Sequence, residues 1–225
     1  MRIVTWNCCR GPLEKKLAAL SSLSPDLAII AESSKPVGES SQNLWFPSGV
    51  SKLGIHVKAW GLYQLERLPI ADLPNCVVPV RVTGPKNFYL LAVWTWPAPS
   101  YIKAFMNALA AYSDLFEKGQ VVIAGDFNGN PIFDKPGTRL KWGDAFSSLS
   151  ERGLVSAYHH ANTESYGGES HATHHFQRKT ERPFHIDFCF VPKSWTEDGF
   201  QSYIASGENW STLSDHFPLV TATEA

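Results

Sequence analysis

No run of apolar residues in this chain approaches the ~18 that a membrane-spanning helix needs. The opening MRIVTWNCCRG also lacks the basic stretch and apolar core of a secretory signal. A soluble, cytoplasmic protein is therefore expected. Cysteine is scarce: Cys8, Cys9, Cys76 and Cys189 include one adjacent pair and no CxxC spacing, which argues against a disulfide framework and a thiolate metal site. Charge of one sign is not in excess either, with 20 Lys and Arg against 21 Asp and Glu for a net −1. That excludes a polybasic nucleic-acid tail and an extended acidic arm, but not a local basic groove. No repeat, low-complexity tract or linker breaks the 225 residues. One domain over residues 1–225 is expected, long enough to bury a substantial core.

What the chain does have is aromatic residues, 8 Trp, 7 Tyr and 13 Phe, and many short apolar runs bounded by turn residues. Runs at 2–8, 27–31, 53–60, 76–82, 88–96, 121–126, 185–191 and 216–222 read as strands. Several are apolar on both faces, as in sheets covered on both sides. The run 185–191 alternates, with His185, Asp187 and Cys189 on one face and Ile186, Phe188 and Phe190 on the other, and predicts a half-buried strand. Helical spacing is rarer. Leu13, Leu17 and Leu20 form one stripe, a helix is predicted over 101–118 with Gly119 at its end, and a shorter one over 144–152 ends at Gly153. Segments 97–99 and 130–137 read as loops. Many short strands with few helices predict two packed sheets flanked by helices rather than a doubly wound parallel fold.

The chemical signal lies where polar residues follow apolar strands, because a carboxylate or amide there costs desolvation without helping the core. Asn7 follows 3–6, Glu32 follows 27–31, Asp126 and Asn128 follow 121–124 in GDFNGNP, Asp187 lies in HIDFCFVP, and Asp215 and His216 stand in SDHFPL. Singly, each has a structural reading as a turn former or a satisfied core histidine. Together they are four acids, two amides and one imidazole. Converging acids repel unless a cation relieves them, and all-oxygen ligands suit Mg²⁺ or Mn²⁺ rather than zinc. A hard cation beside an oriented histidine is equipment for hydrolysing a phosphate ester.

TWN near the start, AES at 31–33, GDFN at 125–128, HIDF at 185–188 and SDHFPL at 214–219 resemble, in order, the motifs of the endonuclease/exonuclease/phosphatase superfamily (the deoxyribonuclease I-like fold). The resemblance implies an α/β (α+β) four-layer αββα sandwich, two mixed sheets face to face with helices outside. It also implies a phosphoesterase dependent on Mg²⁺ or Mn²⁺. By position Glu32 matches the principal metal-binding acid, Asn7 the asparagine beside the metal or phosphate, and Asp215 a metal-site or water-orienting acid. Asp126 matches the acid that handles the attacking water or leaving group, and Asn128 the amide on a phosphate oxygen. His216 matches the histidine facing the phosphate and Asp187 the carboxylate that orients it. Either Asp126 or His216 could take the water's proton. The chain departs from the pattern at Ala31, where relatives carry Gln, at Cys9, where a small acid or polar residue is common, and at Trp96, where many relatives have His or Tyr.

Substrate contacts are expected from two places. Segment 158–183 is polar and rich in His, Arg and Lys, with Arg178, Lys179 and Arg182 as candidate phosphate contacts, and His185 shares a face with Asp187. Its histidines invite a zinc site that no cysteine or carboxylate spacing supports. Trp94 and Trp96 share a strand face and could stack on a base; two core aromatics is the alternative. The balanced charge predicts weak, salt-sensitive nucleic-acid binding. A metal-dependent nuclease acting on DNA or RNA as a monomer, with no membrane partner, is the leading reading. A small-molecule phosphodiesterase or phosphatase acting on nucleotides or inositol phosphates is the alternative, and a non-catalytic binding module the third.

Overall fold

The computed structural model describes residues 1–49, 51–71, 76–97 and 99–223. The chain opens with β1 (Arg2–Asn7), α1 (Leu13–Ser21), β2 (Leu27–Ser33), β3 (Asn43–Pro47), β4 (Gly54–Ala59) and β5 (Gln64–Arg67). It continues through β6 (Val77–Thr83), β7 (Phe88–Trp94), α2 (Tyr101–Ala111), α3 (Leu115–Lys118), β8 (Val121–Asp126) and α4 (Trp142–Glu151). Then come β9 (Leu154–Ser156), α5 (Ala157–Asn162), β10 (His174–His175), β11 (Pro183–Phe184) and β12 (Asp187–Pro192). The last elements are β13 (Gln201–Ile204), α6 (Glu208–Leu213) and β14 (Leu219–Ala222).

Two mixed six-stranded sheets result, one ordered β13-β14-β1-β2-β4-β3 and the other β5-β6-β7-β8-β12-β9, with β10 and β11 as a separate small ribbon. Each large sheet has one parallel pair, β1 with β2 and β7 with β8, among antiparallel neighbours. Strand alternation sorts the apolar residues into three cores. Ile3, Ile29, Phe46 and Val57 meet Val80, Leu90, Ala124 and Val191 between the sheets. Their neighbours point outward: Leu91, Ile123, Phe188 and Phe190 pack under α2 and α4 through Phe105, Leu109 and Phe146. Val4, Trp6, Ile30 and Val220 pack against Leu20 and Trp210 of α1 and α6. Helices, sheet, sheet and helices make four layers. Among the described residues no helix is long and apolar enough to cross a membrane.

Three expectations need correction. The alternation in 185–191 suggested one wet face, yet every residue of β12 is buried, because Cys189 and Val191 enter the inter-sheet core while Phe188 and Phe190 enter the helical one. The predicted helix over 101–118 is two pieces, with Tyr112–Asp114 turning between α2 and α3. Ser113 and Asp114 have short polar side chains that compete for the backbone, and the Tyr112 hydroxyl accepts from Ala71 N at 3.1 Å. The segment 130–137 is not all loop: Pro131–Phe133 forms a 3₁₀ turn, and Asp134 Oδ1 and Oδ2 accept from Trp142 N and Gly143 N, capping α4. Residue 98 of the expected 97–99 loop lies outside the described residues.

Candidate active site

The site forms where four strands of the two sheets end together. β1 delivers Asn7, whose neighbour across the parallel pair is Ala31 of β2. One residue on, Glu32 breaks the β2–β4 register with a bulge and takes φ 52, a left-handed conformation that re-aims its side chain. β8 ends at Asp126, and antiparallel pairing sets Asp187 of β12 directly opposite it. The following backbone is unusual in a way the GDFNG sequence allows. Asn128 has φ 47 and Gly125 φ 144; a Cβ on Gly125 would lie 1.9 Å from Val93 O, and one on Gly129 would lie 2.0 Å from the Trp142 indole. Glycine is needed at both positions for β7 and Trp142 to approach this closely.

Hydrogen bonds join the acids into one network. Asn7 Nδ2 donates to Glu32 Oε1 at 3.1 Å and to Asp126 Oδ2 at 2.9 Å, while its Oδ1 accepts from Cys9 N. Asn128 donates from its backbone N to Asp126 Oδ1 at 2.8 Å and from Nδ2 to Asp126 Oδ2 and Thr95 O. Both amides, expected to face metal or phosphate, therefore hold Asp126 in place. His216 Nδ1 lies 2.8 Å from Asp187 Oδ2, fully buried against it. Ser214 Oγ donates to Asn7 O and accepts from His216 N, tying the SDH turn to β1. Asp126, Asp187 and His216 offer ligand atoms within 4.8 Å of one another, and so do His174, Asp215 and His216.

Electrostatics separate the roles. Burial, reinforced by the Asp187 charge, pushes the Asp126 carboxyl well above the usual range. Burial alone would depress the His216 imidazole, but the carboxylate of Asp187 outweighs it and holds the ring above its ordinary value. Burial works against ionisation of Asp215 as well, yet the His174 ring beside it and the His216 charge keep it below the carboxylate range.

Two groups have donor atoms close enough to share a cation, Asp126 with Asp187 and His216, and Asp215 with His174 and His216. Glu32 is in neither and reaches Asp126 through Asn7, while Asp187 Oδ1 is buried with no hydrogen-bond partner among the described residues. Carboxylate oxygens are the ligands that a hard divalent cation prefers. Two soft atoms lie at the edge: Cys9 contacts Asp215, and Cys8 Sγ donates to Glu32 O at 3.5 Å.

The remaining expected contacts divide. Arg178 donates to the carbonyls of Ser211 and Ser214 and lines a cavity with Asp215, so it borders the site. Arg182 lies over the Phe176 ring, and Lys179 is exposed. His185 does not look into the cleft. It is 3% exposed, hydrogen-bonds His171 O, packs on Tyr158, and burial pushes it down to about 4. Trp94 and Trp96 meet edge to face at 5.4 Å; Trp94 is buried in the inter-sheet core and offers no stacking face, whereas Trp96 packs against that core and is half-buried.

Thr173 has no signal in the sequence, and His174 stands there only among the histidines that invite a zinc site. His174 lies on His216 with centroids 4.2 Å apart and reaches Asp215 at 3.8 Å. Thr173 Oγ1 accepts from the backbone N of both Ile186 and Asp187. Both sit in a stretch that reads as a polar loop, and only the two-residue pairing of β10 with β11 reveals their orientation.

No protein-family model matches the chain, and no curated protein sequence does; the likeness is one of structure. The 3'-5' exonuclease (NExo) from Neisseria meningitidis aligns over 100% of both chains at 18% identity and TM-score 0.69. The endonuclease domain of TRAS1, a telomere-specific non-LTR retrotransposon, aligns over 98% of this chain and 96% of its own at 17% and 0.66. An endonuclease/exonuclease/phosphatase from Beutenbergia cavernae aligns over 98% and 70% at 15% and 0.60. The chain thus has the endonuclease/exonuclease/phosphatase fold that its motifs resemble, a four-layer sandwich with the matched side chains gathered at one end.

Proposed function

We propose that the chain is a divalent-cation-dependent phosphodiester hydrolase, a nuclease acting on DNA or RNA. The observation that carries the reading is the convergence of Asp126, Asp187 and His216 within 4.8 Å, joined through Asn7 to Glu32. Those residues come from far-apart segments of the chain, and assembling buried like charges has no benefit to the core.

Glu32 and Asp215 would hold Mg²⁺ or Mn²⁺, which when bound neutralises charge on the phosphoryl oxygens. Asp187 fixes the His216 ring by its Nδ1. His216 Nε2 has no hydrogen bond to other described residues and is free to donate to a phosphoryl oxygen as negative charge grows there. Asp126, with its raised affinity for a proton, accepts one from the attacking water or returns one to the leaving oxygen. Asn7 and Asn128 keep that carboxyl from turning away.

Incubation of the chain with labelled single strands, duplex, RNA and a chromogenic diester tests this. Cleavage should require Mg²⁺ or Mn²⁺ and vanish in chelator. Turnover confined to nucleotides or inositol phosphates would replace the nuclease reading, and no turnover on any substrate would remove the hydrolase.

A further inference from the structure

A row of four rings leads from the buried imidazole into solvent. His174 lies 4.2 Å from His216, Phe184 stacks on His174 at 6.3 Å with planes 25° apart, and Phe133 follows at 5.5 Å. Exposure rises along it, from 5% at His216 and 9% at His174 to 42% at Phe133. Ile132 beside Phe133 and Phe176 beside His174 are also exposed. A cluster of wet apolar side chains continuous with a reactive site marks a contact surface.

The outer ring is carried on a braced turn. Asn130 is fully buried; its Oδ1 accepts from Ile132 N at 3.0 Å, and its Nδ2 donates to Glu169 Oε1 at 2.8 Å and His185 O at 2.9 Å. Pro131 restricts the first residue of the turn. Glu169 in turn accepts from Gly167 N at 2.9 Å. Phe133 is thereby presented by backbone fixed in advance, which lowers the entropy cost of using it.

We propose that Phe133, backed by Phe184 and His174, is a stacking platform for an unpaired base of the strand that carries the scissile phosphate. The preferred substrate is then single-stranded or frayed nucleic acid, rather than closed duplex or a base-free phosphate ester. The inference rests on the phosphate being seated at Asp126 and His216. Every base has a planar face to offer an aromatic ring, but pairing and stacking in a duplex hide it. An inositol phosphate has none. Charge points the same way: tight duplex binding rests on many Lys and Arg phosphate contacts, whereas here the net charge is −1 and the Arg178 guanidinium is engaged by backbone carbonyls.

The test is fluorescence anisotropy with a labelled oligothymidylate in chelator, together with KM for its cleavage in Mn²⁺. Wild type, Phe133→Ala and Phe133→Tyr are compared, with melting temperature confirming that each folds. Phe133→Ala should weaken binding and raise KM by roughly tenfold, falling chiefly on KM, and Phe133→Tyr should restore both. A duplex of matched length should bind more weakly than the single strand. Unchanged binding in Phe133→Ala, or equal affinity for duplex, overturns the platform while leaving the hydrolase in place. Phe133-dependent binding by a protein that cleaves nothing would keep the platform and discard the hydrolase.

Discussion

Asp187 and Asp126 face each other on one antiparallel rung between β12 and β8, and each is held by different donors. Asp187 takes the His216 ring, whereas Asp126 takes the amides of Asn7 and Asn128. Two buried carboxylates this close cannot both ionise freely. The fold resolves the conflict by giving one of them a cationic ring and pushing the other toward its neutral form. Divergent environments for adjacent acids are what acid–base chemistry at neutral pH requires.

If Asp187 acts only through His216, the two residues form a unit. His216→Ala should lower kcat by roughly 10²–10⁴-fold, Asp187→Ala by a comparable factor, and the double variant by little more than either. Multiplying losses in steady-state kinetics would show instead that Asp187 works independently.

Cation binding should be visible without turnover. Adding Mn²⁺ in excess of its Kd should raise the melting temperature of the wild type, because a ligand that binds only the folded state stabilises it. Glu32→Gln should lose most of that rise. An identical shift in the variant would take Glu32 out of the cation site.

Gly125 lies where the two parallel strands β7 and β8 meet, with φ 144 and no room for a Cβ against Val93 O. Gly125→Ala should destabilise the fold by about 3 kcal/mol or more, since backbone rather than a flexible side chain must move. Urea denaturation measures this, and a loss under about 1 kcal/mol would mean that the strands can separate cheaply.

Acid should unfold the chain partly through His56. This β4 residue is wholly buried, hydrogen-bonds Asn43, and burial, helped by the Lys58 charge, pushes it down to about 4 from 6.5. The unfolded chain binds a proton first as pH falls below 6.5, so stability drops between 6.5 and about 4 and the loss is complete below. His56→Gln should flatten that part of the profile of unfolding midpoint against pH. A slope equal to the wild type's would assign the effect to other groups.

The inner strands of the two sheets are legible because each is an apolar run closed by turn residues, and among their polar ends the structure joins Asn7, Glu32, Asp126 and Asn128 by hydrogen bonds and seats Asp187 against His216. Edge strands were not legible. In β5 only Leu65 is buried, and in β13 only Ser202, so neither carries an apolar pattern. The site was readable as residue types but not as orientation. Nothing in the order of residues says that Asn7 and Asn128 turn their amide hydrogens onto Asp126, or that Trp94 turns into the core. The aromatic row was hidden for a related reason: Phe133, His174 and Phe184 lie in segments without periodicity, and meet only because the β10–β11 ribbon folds back beside His216.

The most direct test is cleavage of a labelled oligonucleotide by wild type and Asp126→Asn, side by side, with Mg²⁺ or Mn²⁺ and in chelator. The account predicts metal-dependent phosphodiester cleavage by the wild type and a loss of roughly 10²-fold or more in a variant that still folds and still binds the strand. Equal rates from the two proteins, or undiminished cleavage in chelator, would contradict it.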